Sequence, residues 1–170
     1  MKDTARIIID WRCNMECAYC CNKIPRFRSQ FKSVRLNDIE FSKYRVICIS
    51  GGEPLLEPTL ILAVCERVPL MTTTVLYTNG THLTCMMAAT LAGWGVNALN
   101  IGVHNPATFE HVIKNTCGCI DKLPLAVRFH IQDIYRDTGL ETTYPGVKFH
   151  YWKMDECDRN NEDRFVIDWS

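Results

Sequence analysis

The sequence predicts an α/β fold built on a parallel sheet, and three observations carry that prediction. Strand-like and helix-like segments alternate along the chain, which implies right-handed β-α-β crossovers. Residues with chemical potential fall just after the predicted strands, the edge where parallel folds gather their sites. The 170 residues suffice for one domain with a real core, so residues 1–170 are read as a single unit.

The elements follow in order. Residues 5–11 read as a first strand, followed by a cysteine-rich loop. Residues 37–44 read as a short helix with Asn37 as cap and Glu40 at the capping-box position. Val46 to Ser50 form a buried strand, and Gly51-Gly52-Glu53-Pro54 turns the chain. Pro58 opens a helix reaching Arg67. Residues 72–78, rich in Thr, Val and Tyr, make the third strand, closed by Asn79-Gly80. Thr84 caps a helix ending near Gly93 and Gly95. Residues 98–104 are the fourth strand, and Asn105-Pro106 starts a helix to Asn115. Residues 125–133 and 147–154 are the fifth and sixth strands, with a polar loop and no clear helix between them.

Composition narrows the function classes. The chain is 47% hydrophobic and 22% charged, as a folded soluble protein is. Its formal net charge of zero argues against broad electrostatic binding to nucleic acid. There is no signal-peptide pattern and no apolar run of the roughly 20 residues that a membrane span needs, so a cytoplasmic protein is expected. Ten cysteines without an export signal favour metal ligation over a disulfide framework. Cys48, Cys65 and Cys85 lie in apolar stretches and read as small hydrophobes.

Cys13, Cys17 and Cys20 form a separate group within Cys13-Asn14-Met15-Glu16-Cys17-Ala18-Tyr19-Cys20. Three thiolates so close hold three corners of an iron–sulfur cube and leave one iron without a local cysteine. An open iron binds a small molecule, which a fully ligated electron-transfer cluster does not readily do.

These residues resemble the radical S-adenosylmethionine (radical SAM) superfamily. The likeness lies in the cysteine spacing with Tyr19 before the last cysteine, in Ser50-Gly51-Gly52-Glu53-Pro54 after the second strand, and in Tyr77-Thr78-Asn79-Gly80 after the third. It spans roughly residues 5–133. The resemblance implies a shortened, partial (β/α)6-type barrel that holds a [4Fe–4S] cluster and SAM. It implies that the cluster cleaves SAM to a 5′-deoxyadenosyl radical, which takes hydrogen from a substrate. It assigns cluster ligation to Cys13, Cys17 and Cys20, and cofactor contacts to Tyr19, Ser50, Gly51, Gly52, Glu53, Asn79 and Asn100. Where many members carry a ribose-binding serine this chain has Gly102, so ribose contacts are expected from Asn79, Asn100 or His104.

Alternation adds a substrate reading. Asn100, Gly102 and His104 share one face of the fourth strand, and Arg128, His130 and Gln132 share one face of the fifth. With Asp10 in phase on the first strand, these predict a polar lumen for a small anionic metabolite or nucleotide. Arg128, whose fork suits a carboxylate or phosphate, is the first substrate candidate, with His130 and His104 beside it.

Lys23, Arg26, Arg28, Lys32 and Arg35, with no acid among them and Phe27 and Phe31 interleaved, form a basic segment. It suits an acidic electron donor such as flavodoxin or ferredoxin, or an anionic substrate. Cys117 and Cys119, with Cys157 or Cys21, are a possible second metal centre. Two other functions stay open: an activating enzyme that places the radical on a protein partner, and a closed zinc module in which Cys21 is the fourth ligand.

Overall fold

The computed structural model describes residues 2–18, 20–116, 120–133, 136, 148–152 and 161–170. Eight parallel strands form one open sheet: β1 (Thr4–Ile8), β2 (Lys32–Arg35), β3 (Val46–Ser50), β4 (Thr73–Thr78), β5 (Ala98–Val103), β6 (Ala126–Gln132), β7 (Lys148–Trp152) and β8 (Asp163–Asp168). Their order is β2-β8-β1-β3-β4-β5-β6-β7, so β2 and β7 are the edges. Helices α1 (Pro25–Arg28), α2 (Pro58–Cys65), α3 (Cys85–Gly93) and α4 (Pro106–Asn115) complete the described elements.

The α/β parallel architecture is as expected, and so are the caps of two helices. Thr84 accepts a hydrogen bond from the Met87 amide, and Asn105 accepts one from the Thr108 amide. Two expectations change. The helix over 37–44 is replaced by two 3-10 turns, Leu36–Asp38 and Phe41–Lys43. The residues buried there are Ile39, Phe41 and Tyr44, a spacing that no single helix face can bury, and Glu40 pairs with Lys43 at 2.6 Å instead of capping. The six expected strands become eight. β2 arises inside the basic segment, and β8 inserts between β1 and β2. The polar stretch between β6 and β7 lies almost wholly outside the described residues.

Strand alternation sorts the two faces of the sheet. One face carries Ile7, Ile47, Ile49, Leu76, Leu99, Ile101, Phe129 and Ile131, packed with Ile61 and Val64 of α2, Leu91 of α3, and Phe109 and Val112 of α4. Phe109 meets Phe129 edge-on at 4.8 Å between ring centroids. Each such side chain contributes about 1.5–3 kcal/mol on burial, so this layer holds the sheet rigid. The opposite face lines a cavity of about 790 Å³. Phe27 and Phe31 of the basic segment pack on Ile8 of β1, and Phe27 also lines the cavity. Among the described residues, no helix is long and apolar enough to cross a membrane.

Candidate functional site

The cysteine loop leaves β1 at the carboxyl edge of the sheet. Cys13, Cys17 and Cys20 are free thiols, and all three line the cavity. Burial pushes the Cys17 thiol up, and the neighbouring Cys20 and Cys13 push it further. Asn79 holds the loop from the β4 end: its amide nitrogen donates to Asn14 Oδ1 at 2.8 Å and lies 3.9 Å from Cys13 Sγ. Asn14 in turn donates to Thr81 at 2.8 Å.

The turn after β3 is tied to the same loop by backbone. The Gly52 amide donates to the Asp10 carbonyl and the Glu53 amide to the Arg12 carbonyl, both at 2.8 Å. A Cβ at Gly51 would stand 2.3 Å from the Asp10 oxygen, and one at Gly52 would stand 2.0 Å from the Arg12 oxygen. Glycine is required here because the chain's own backbone approaches this closely. With both amides engaged, the turn presents carbonyl acceptors, which suit an ammonium group. One of these, the Gly51 carbonyl, also accepts from Asn22 at 2.7 Å, a contact that nothing in the local sequence pattern marks.

Glu53 points inward. Its buried carboxylate accepts from the Leu55 amide (2.9 Å), the Thr78 hydroxyl (2.6 Å) and the Asn79 amide (2.6 Å). Burial raises its pKa although these bonds pull the other way. Glu53 therefore joins the β3 turn to the end of β4. Asn79 is engaged as well, since its side-chain oxygen accepts from both the amide and the hydroxyl of Thr81. Among the three expected ribose partners, Asn100 and His104 are the ones that line the cavity without such commitments. The His104 ring lies over Gly102, its Nε2 3.2 Å from where a Cβ would be. A side chain at 102 would displace the imidazole. His104 Nδ1 is buried without a hydrogen-bond partner, and burial lowers its pKa.

Deeper in the cavity, Arg128 and His130 lie on the lining face of β6, as alternation predicts. Asp10 does not line the cavity. Its carboxylate holds the amide and guanidinium of Arg12, which also reaches Glu57 at 2.9 Å. The first strand ends at Ile8, so the alternation that placed Asp10 inward no longer holds there. Tyr19 and the Gln132 side chain lie outside the described residues.

Sequence reasoning missed an equally large set. Arg6 of β1 donates to Glu162 at 2.7 Å, and Arg164 of β8 donates to the same oxygen at 3.1 Å. Arg6 also lies 4.4 Å over the Tyr77 ring. Burial alone would lower Arg6, and Glu162 outweighs it and holds the guanidinium above its usual value. Lys148 and His150 of β7 stand opposite Arg128 and His130. His130 is pushed down to about 4, by burial first and then by His150, Arg128 and Arg6. It stays neutral in an electropositive lumen, with Nε2 unpartnered. The signal for Arg6 and Lys148 was their phase with lining residues. For Glu162 and Arg164 it was β8 itself.

The remaining cysteines divide. Cys48 and Cys65 are buried free thiols, as expected. Cys85 is disulfide-bonded, which corrects its reading as a packed thiol. Cys21 is disulfide-bonded too, unlike the three thiols of the loop. Cys117, Cys119 and Cys157 lie outside the described residues. Among the described residues, no three His, Cys, Asp or Glu side chains converge on a single ion. Three thiols meeting three irons of a cube need no such convergence, and the pattern fits a cluster better than a closed zinc centre.

Comparison with known proteins agrees with this geometry. A family model described as the radical SAM superfamily matches residues 9–151. The chain is 32% identical over 130 residues to a GTP 3′,8-cyclase of Picosynechococcus sp., covering 66% of this chain and 38% of the relative. It is 33% identical over 85 residues to a protein of Methanocaldococcus jannaschii named as a glycyl-radical enzyme activating enzyme, covering 48% and 35%. The chain thus spans less than two fifths of these relatives' length. Among solved structures, BtrN in complex with AdoMet and 2-DOIA superimposes with a TM-score of 0.54 at 20% identity, covering 77% of this chain and 57% of that one. That likeness concerns the fold. Members of the matched family use a [4Fe–4S] cluster and SAM.

Proposed function

The chain belongs to the radical SAM superfamily, and from that premise we propose that it is an enzyme acting on a small anionic metabolite or nucleotide. The observation that carries this reading is one cavity lined both by the three free thiols and by Asn100, Arg128 and His130. Bound at the thiols, the cluster and SAM would supply a 5′-deoxyadenosyl radical, the hard chemistry that the protein positions.

The chain's own residues do the rest. Cys13, Cys17 and Cys20 would hold the cluster, while Asn79 and Asn14 fix their loop. Carbonyls of the Ser50–Glu53 turn would accept from the methionine ammonium. Asn100 and His104 would orient the ribose. Arg128 would bind the substrate's anionic group, and neutral His130 would accept or donate a proton beside it. The exposed Lys23, Arg26 and Arg28 follow directly on Cys20 and offer an acidic flavodoxin or ferredoxin a face near the cluster.

Anaerobic reconstitution with iron and sulfide tests the reading. It should give about four irons per chain, as a [4Fe–4S] cluster requires, and SAM with a reductant should then release 5′-deoxyadenosine. Cys20→Ala should lose the cluster and Cys21→Ala should keep most of it. Protein that holds one zinc and takes up no iron would overturn it. The likeness to the activating enzyme favours a second reading, a radical placed on a protein glycine. A co-purifying partner with a glycyl-radical signal would decide for that one.

A further inference from the structure

The cavity is unevenly charged. Its described lining contains four permanent cations, Arg6, Arg128, Lys148 and Arg164, against one carboxylate, Glu162. Glu162 is already shared between Arg6 at 2.7 Å and Arg164 at 3.1 Å. Arg128 and Lys148 stand directly opposite one another on the parallel strands β6 and β7. Like charges at such positions repel, and a fold with no use for them would not place two on one lining face. Neither has a carboxylate within ion-pair distance among the described residues. One tier nearer the mouth, His130 leaves Nε2 buried and unpartnered.

We propose that Arg128 and Lys148 are the receptor for a phosphate group of the substrate, with the His130 imidazole as a third contact. A single arginine fork satisfies a carboxylate. A second, adjacent cation matches the second negative charge and further oxygens of a phosphate, the fork binding two of them and the lysine acting as a point charge. Arg128 lies four residues before the end of β6, so about 13 Å of strand separates it from that end's level, near the cysteine loop and the Ser50–Glu53 turn. A substrate held there by its phosphate would turn its other end toward the thiols. The charge argument stands on its own, and only the orientation toward the reacting end rests on the radical SAM reading.

The test uses inorganic pyrophosphate as probe and malonate as a carboxylate control, titrated calorimetrically into the cluster-loaded full chain. Pyrophosphate should bind more tightly than malonate, and less tightly as salt rises. Arg128→Gln and Lys148→Gln should each weaken it about tenfold, equivalent to about 1.4 kcal/mol. Lys148→Arg should restore most of the affinity, and Arg67→Gln, outside the cavity, should leave it unchanged. Carbon-13 NMR of the His130 ring should show its pKa rising when pyrophosphate binds. Equal affinity for malonate, or binding indifferent to both substitutions in variants with unchanged circular dichroism, would overturn the proposal. Binding that depends on both residues in a protein that makes no 5′-deoxyadenosine would support the receptor and remove the radical reading.

Discussion

The two sides of the cavity handle positive charge in opposite ways. On the β1–β8 side, Arg6 and Arg164 share the carboxylate of Glu162, and Arg164 also meets Gln30 and packs near Phe27 and Phe31. On the β6–β7 side, Arg128 and Lys148 stand together with no carboxylate among the described residues. The first arrangement is a structural joint. It fastens β8 to β1 and, through Arg164, to the segment that carries Phe27, Gln30 and Phe31. The second, among the described residues, ties no element to another by an ion pair. Charge paired inside the protein supports structure, whereas charge left unpaired on a concave wall suits a ligand.

The sharpest way to break this contrast is Glu162→Gln. It leaves two buried guanidinium groups facing each other, and removing one partner of a buried pair costs about 3–5 kcal/mol. Chemical denaturation should show that loss. A change under 1 kcal/mol would make the joint as dispensable as the receptor.

Next comes pH. His130 sits at about 4 in the folded chain against the ordinary value of 6.5, so the unfolded chain binds its proton first as pH falls. Its contribution is fully present above pH 6.5 and is lost as pH falls toward about 4, by at most roughly 3 kcal/mol. Thermal melts between pH 4 and 7 should show the slope, and His130→Asn should flatten it. A slope that survives the substitution belongs to another group.

A smaller effect is expected at Gly52→Ala. Its Cβ would overlap the Arg12 carbonyl, so the turn must shift, at about 1–3 kcal/mol. Because that contact ties the turn to the cysteine loop, iron uptake should fall with stability. Iron uptake at the parent level would show that the tie does not position the thiols. The smallest stability change is expected for Arg128→Gln and Lys148→Gln, each within about 0.5 kcal/mol in denaturation, since both are exposed to the cavity. Substrate-dependent turnover should nonetheless collapse in both.

Local chemistry was legible in the sequence wherever the signal was short-range. The cysteine spacing, the glycine pair, Thr84 and Asn105 as caps, and the phase of Asn100, Gly102 and Arg128 each depend on neighbours a few residues away. The reading failed where the partner was far along the chain. β8 went unseen because Arg164 breaks its apolar run, and a buried arginine makes sense only beside Glu162 and across from Arg6, more than 150 positions earlier. Asp10 was misplaced because alternation was carried past the point where the strand ends. The backbone of Glu53 was assigned to the cofactor from its motif, and what the motif could not show is that its carboxylate is turned to Thr78 and Asn79.

By itself the sequence determined the parallel α/β class, the family, and three thiols in one loop, because periodicity and spacing are properties of contiguous residues. Only the tertiary structure decided which charges are paired. Ion pairing depends on distances of a few ångströms between strands that the chain order keeps far apart, as Arg6 and Glu162 are. That geometry separates the joint at β1–β8 from the open receptor at β6–β7.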